Sequence, residues 1–198
     1  MEEVVPTLKE LRADSEHRAK RSLALPISGI IVSGVIGVLG QVVSPRISVY
    51  VLLFGTGPIF PLAMAVAALR GEQLFSNPNQ LARLMGACVF MVNLLWALHI
   101  PLALRAPSFV PLSVGIGLGL HWVVYSWIIR HPVGYIHALL RTVMLVVAWW
   151  SFPRDVVTAC SLAVVLAYAY AIYVMARRPV AISDGLLVSN SLARGPDR

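Results

Sequence analysis

The chain has 198 residues, 58% of them hydrophobic and only 13% charged, with a mean hydropathy of +0.78. A soluble domain carries about 25% charged and 45–50% apolar residues, so an ordinary water-soluble globule is excluded. The net charge of +7 does not mark a nucleic-acid binder, because the basic residues lie between apolar runs rather than along one aromatic-studded face.

Residues 1–22 hold five basic and five acidic side chains. Thr7-Leu8-Lys9-Glu10 fits a capping box, in which the threonine hydroxyl and the glutamate carboxylate each cover a backbone donor at a helix start. Asp14 before Arg18 and Glu16 before Lys20 place acid four residues ahead of base, the favoured helical order. The pattern predicts a short amphipathic lead-in helix at the cytoplasmic membrane surface. No small-residue cleavage site follows the first apolar run, which therefore reads as an uncleaved anchor.

Six apolar segments follow, at about 23–43, 47–69, 84–104, 109–129, 135–152 and 156–176. A continuous apolar run of about 20 residues is what a helix needs to cross the hydrocarbon core. Barrel strands would instead alternate apolar and polar over about ten residues, and these do not. The connections are short and rich in proline and glycine, which end helices and permit turns. The expectation is an all-α, polytopic bundle of six transmembrane spans over 23–176. Residues 177–198, polar, small and aperiodic, read as a flexible cytoplasmic tail.

Charge sets the orientation. Twelve Lys or Arg fall on the side of the two termini and of the second and fourth connections, against Arg46, Arg105 and Arg154 on the other. Positive residues favour the cytoplasm, so both termini are expected inside, which an even number of spans requires.

Within the spans, Gly29, Ser33 and Gly37 recur at four-residue steps, as do Gly115 and Gly119, a spacing that lets membrane helices approach closely. The second span carries Gly55, Gly57, Pro58 and Pro61 in its middle. Proline removes a helix hydrogen bond and kinks the chain, so a bent or partly unwound span is predicted, of the kind that forms midplane sites in transporters. Polar side chains at depth are few: Gln41, Asn93, His99, His121, Tyr125, Ser126 and Arg141. His121 and Tyr125 share a helix face, and Asn93 lies mid-span. Together these three form the candidate substrate-contact site, since ionisable groups at such depth are costly and often functional. The competing reading is a neutral His121 that serves packing alone. His131 and His137 flank the turn RHPVGY at interface depth, with Arg141 expected to snorkel back to phosphate level. Trp122, Trp127, Trp149 and Trp150 are expected in aromatic belts.

Several chemistries are missing. Cys88 and Cys160 sit singly in apolar runs and read as buried packing residues. There is no metal-ligand cluster, no acid at depth to complete a Ser-His-Asp set, and no cofactor motif, since GIGLGL lacks the strand-to-turn context of a phosphate loop. No catalytic, cofactor-binding or metal-ligating residue is assigned.

The runs FPLAMAVAALRG, NPNQLARL and GLHWVVYSWIIRHPVGYIHALLR resemble an uncharacterised family of small bacterial membrane proteins, a domain of unknown function with a His–Tyr–Trp stretch in a late helix. His121, Tyr125 and Trp127 are the matching positions, and the resemblance covers most of 20–176. It implies a multi-span protein of the bacterial cytoplasmic membrane and brings no catalytic residues. The leading expectation is a small-solute transporter or permease-like protein with its site near Asn93, His121 and Tyr125, facing the bent second span. A non-catalytic scaffold, using its small-residue faces to bind a membrane partner or a second copy, is the alternative. A membrane-embedded enzyme is third.

Overall fold

The structure, a computed structural model, describes residues 6–73 and 77–179, and all regular elements among them are helical. The carboxyl-terminal tail expected over 177–198 lies outside the described residues from position 180 onward. Helix α1, Leu8–Ala19, starts as its sequence dictates. The Thr7 hydroxyl accepts the Glu10 N–H at 3.3 Å, and the Glu10 carboxylate accepts the Thr7 N–H at 2.7 Å. Asp14 pairs with Arg18 at 2.7 Å. Glu16, by contrast, pairs with Arg178 at 2.5 Å and not with Lys20 as the spacing suggests. Lys20, Arg21 and Ser22 all take positive φ, at 41°, 74° and 51°, so α1 has ended and its four-residue register no longer applies.

The membrane helices follow in order: α2, Ala24–Val42; α3, Pro45–Gly55; α4, Ile59–Arg70; α5, Gln80–Leu94; α6, Trp96–Arg105; α7, Val110–Gly117; α8, His121–Ile129; α9, Val133–Ser151; and α10, Val156–Arg177. Several are halves of one span. Gln80–Arg105 reads as a single apolar rod of 26 residues and Pro107–Ile129 as one of 23, each loosened near its middle. Five rods are long and apolar enough to cross a membrane, and α3 with α4, bent by 46° at the break between them, form a broken span or a re-entrant loop, which gives five to six candidate spans. The bend falls on the residues that predict it, Gly55 to Pro58, where proline supplies no amide and glycine resists helix. A multi-pass membrane protein follows from these lengths and compositions, and its apolar outer surface implies a lipid bilayer.

Helix α10 is the central element, packed between α2 and α9. Small residues permit the contacts, as their spacing indicates. A Cβ on Gly29 would lie 2.5 Å from the Tyr168 ring, and one on Gly115 would lie 2.6 Å from Leu145 Cδ1. Cys88 and Cys160 are free and buried. Glu16–Arg178 and the bond from Arg21 Nη1 to Ala176 O at 2.6 Å bring the end of α1 and the end of α10 to the same end of the bundle.

Three side chains placed at the interface by the sequence reading are in the interior instead. Trp122 is 4% exposed, His137 0% and Arg141 2%. The physical reason lies in the turn before α9. The Ser126 hydroxyl donates to His131 O and accepts the N–H groups of Gly134 at 3.0 Å and Tyr135 at 3.1 Å. One side chain thus covers two of the open donors at the start of α9, with His131 Nδ1 taking the Val133 N–H at 3.2 Å, and pins α9 tightly onto α8. His137 and Arg141, four residues apart on α9, are thereby turned inward, where no route to the headgroups is left for snorkelling. Trp127 and Trp150, 46% and 78% exposed, do face outward as an aromatic belt requires.

Candidate functional site

The α1 end of the bundle encloses a cavity of about 850 Å³. Its mouth is built from α1, the loops beside it, the first turn of α5 and the end of α10, and carries Arg12, Glu16, Arg21, Glu72, Arg83 and Arg178. Further in, the break between α3 and α4 supplies Thr56, Gly57, Ile59 and Phe60, while α5, α6 and α8 supply Asn93, Trp96, His121, Trp122 and Tyr125. The three residues singled out from the sequence therefore line one cavity, opposite the bent span. They do not bond to one another. Asn93 donates to Val89 O at 2.8 Å, within its own helix. Tyr125 faces Ser22, in the left-handed turn after α1. His121 Nδ1 is buried and without a partner.

Behind His121 the wall is a polar and aromatic cluster. The His137 ring lies 4.1 Å from Trp122 and 5.2 Å from Tyr168, centroid to centroid, and its Nδ1 donates to Ala167 O at 2.9 Å. The Arg141 guanidinium sits 5.0 Å from the Tyr168 ring centroid. Its Nε donates to Gly115 O at 2.7 Å. That carbonyl comes free because the chain loosens between α7 and α8, where the Gly119 N–H turns to Ile116 O at 2.8 Å. Arg141 Nη1, His137 Nε2 and Trp122 Nε1 have no partner within the described residues. The signal for this cluster was present in the sequence as the i, i+4 pair His137 and Arg141. The neighbouring RHPVGY turn masked it by suggesting interface depth.

Glu72 is the other functional-looking group the sequence reading missed, because it sits in a connection and not in a span. It is 6% exposed and accepts the N–H groups of Leu23 at 3.2 Å and Ala24 at 3.0 Å, and Arg70 Nε at 2.6 Å. A carboxylate there meets the positive end of the α2 dipole and replaces the side-chain cap that Leu23 cannot supply.

Helix α1, with no buried residue of its own, is fixed over the mouth by polar contacts. Asn79 Nδ2 donates to Leu11 O and to Asp14 Oδ2, each at 2.7 Å, while Asn79 Oδ1 caps α5 by accepting the Leu81 N–H at 2.8 Å. Arg12 lies over the Trp127 ring at 4.7 Å and donates to Trp127 O at 3.2 Å. Among the described residues no cluster of three or more His, Cys, Asp or Glu could hold a metal ion.

Rod lengths and compositions define an α-helical, multi-pass membrane protein, with a cavity that is charged at its mouth and largely apolar within. The chain belongs to the family of unknown function DUF7010, whose model matches residues 8–178. The matched region begins at α1 and ends at Arg178, so it takes in both groups that close the mouth of the cavity. No curated protein and no solved structure matches the chain.

Proposed function

We propose that the protein is a small-solute carrier, permease-like in organisation, in a bacterial cytoplasmic membrane with both termini in the cytoplasm. The observation that carries this reading is the meeting of the broken α3–α4 span with Asn93, His121 and Tyr125 on one cavity. A broken helix exposes backbone groups that a continuous one hides, and irregular backbone at membrane depth is tolerated where it lines a cavity. Asn93 stands at the middle of Gln80–Arg105, so the cavity reaches the depth at which a carrier must hold its solute. The cytoplasmic placement rests on the excess of Lys and Arg at the α1 end. It is supported by the Glu16–Arg178 pair, which puts the two ends of the chain's helical part together.

A partner-scaffold reading has less support. The small-residue faces of α2 and α7 that it would use are occupied inside the bundle by Tyr168 and Leu145.

The test is solvent access. With Cys88 and Cys160 replaced by alanine, single cysteines are introduced at Asn93, His121 and Tyr125. A membrane-impermeant thiol reagent applied to inside-out vesicles is expected to label all three. Reaction at none of them would mean a dry interior and would end the carrier reading.

A further inference from the structure

We infer that the cavity receives an organic oxyanion, a carboxylate or phosphate group borne on an apolar body; this rests on the cavity being a solute site, as proposed above. Charge is the first reason. Four arginines, Arg12, Arg21, Arg83 and Arg178, line it against two acids, Glu16 and Glu72. Both acids are already engaged, Glu16 with Arg178 and Glu72 with Arg70 and the start of α2. The cavity therefore holds a surplus of positive charge that its own carboxylates do not neutralise.

Hydrogen-bond polarity is the second reason. Three lining residues carry buried N–H groups with no hydrogen-bond partner, Arg12 Nε, Trp122 Nε1 and Arg178 Nε, against one such carboxylate oxygen, Glu16 Oε1, which the ion pair with Arg178 holds. Guanidinium and indole N–H groups donate and cannot accept. A group that satisfies them must bring acceptor oxygens, and an unmade bond at a buried donor costs about 1–3 kcal/mol. Trp122 and Arg178 are 4% and 8% exposed, so they lie off the open protein surface. Arginines that merely set membrane orientation have no need to be buried, whereas Arg178 is. Farther in, Arg141 adds another buried cation behind His121, and no ion pair among the described residues includes it.

Apolar lining is the third. Leu25, Phe60, Leu81, Val89 and Phe90 share the cavity with these cations. A small inorganic ion would leave that wall bare; an alkyl or aryl body would cover it. The oxyanion has two conceivable sources, a free amphiphile from the cytoplasm or the headgroup of a bilayer lipid, and the site chemistry is the same for both.

The experiment uses the full chain in phosphatidylcholine nanodiscs and measures saturable binding of radiolabelled octyl phosphate. Octanoate is expected to compete, while octanol and octyltrimethylammonium compete at least about tenfold more weakly, the ratio that 1.4 kcal/mol corresponds to. Arg12→Gln combined with Arg178→Gln is expected to weaken binding by about tenfold or more. Arg154→Gln, at the opposite end, is expected to leave it unchanged. Competition by octanol equal to that of octanoate, or wild-type binding in a folded double variant, would overturn the inference. If the double variant does not fold, the ranking of the competitors on the unmodified protein decides alone. Replacing part of the phosphatidylcholine by phosphatidylglycerol separates the sources. Lost octyl phosphate binding there assigns the site to a lipid headgroup, and unchanged binding assigns it to a free solute; either outcome supports the oxyanion. Vesicle uptake keeps the two proposals apart. Saturable binding without uptake sinks the carrier and leaves the anion site, whereas uptake of the cationic or neutral analogue alone sinks the anion site and leaves the carrier.

Discussion

The guanidinium of Arg141 lies 5.0 Å from the ring centroid of Tyr168, at a place where Arg141 is 2% exposed and pairs with no carboxylate among the described residues. An aromatic face and one freed carbonyl therefore stand in for a counter-ion. A desolvated cation–π contact contributes about 2 kcal/mol. Arg141→Met and Tyr168→Leu are each expected to lower the unfolding free energy in detergent, and the double variant to lose less than their sum by about 2 kcal/mol. Strict additivity would show that the two groups are not coupled.

Packing at the α8–α9 turn leaves no room for a methyl group. A Cβ on Gly134 would fall 2.1 Å from the backbone oxygen of Trp122, and a backbone atom cannot rotate away. Gly134→Ala is expected to cost more than about 3 kcal/mol, in the range reserved for core overpacking and strain. Gly34 and Gly86 meet nothing within 4 Å, so alanine there is expected to be neutral or mildly stabilising through helix propensity. Thermal unfolding of the three variants side by side checks the ranking, and equal effects would refute it.

Glu72 caps α2 from a distant loop, and its role depends on charge as well as shape. Glu72→Gln keeps one acceptor oxygen but removes the ionic part, and an expected loss of about 1 kcal/mol follows from the helix-dipole contribution. Glu72→Ala leaves two buried N–H groups and Arg70 unserved and is expected to lose clearly more. Chemical denaturation of both variants gives the order, and an alanine variant as stable as the glutamine one would contradict the capping role.

The seat of α1 should respond to acid. Burial by itself would raise the Asp14 carboxyl, but the hydrogen bonds from Asn79 and Arg18, with the positive charge of Arg18 and His17, outweigh it and hold it below the ordinary carboxylate value. Glu10 is likewise held down, chiefly by the Thr7 backbone N–H. A group with a lowered folded-state value contributes stability above its unfolded value, near 4, and loses it as pH falls through the folded value. Proteolysis within α1 is thus expected to quicken below about pH 4, where Asp14→Asn would already be released and would show a flatter profile. Asn79→Ala is expected to give the same release at neutral pH, together with about 1 kcal/mol lost from the α5 cap. A protease-resistant α1 in the alanine variant would refute the tether.

Much of this architecture can be read from residue order, and the failures share one cause. The capping box at Thr7, the bend at Gly55–Pro58 and the close-packing glycines are local or periodic signals, and each produces its structure where it stands. Asn93, His121 and Tyr125 were legible as a group because depth along a rod is countable, and they do line one cavity. Glu16, Glu72, His137 and Arg141 were misjudged or missed because their partners are distant in sequence. Glu16 answers to Arg178, Glu72 to residues 23 and 24, and Arg141 to Gly115 and Tyr168. Spacing rules see only neighbours along a helix, so a pair made between rods is invisible to them until the rods are assembled.

The clasp between Glu16 and Arg178 has a consequence for biogenesis. A ribosome delivers α1 before the end of α10, so Arg12 and Glu16 precede Arg178 by the length of all the rods between them. Among the described residues, Arg178 is the latest in sequence to line the cavity. A chain cut before Arg178 would leave the Glu16 carboxylate without its ion-pair partner, with the bond from Arg21 to Ala176 as a remaining tie between the two ends of the bundle.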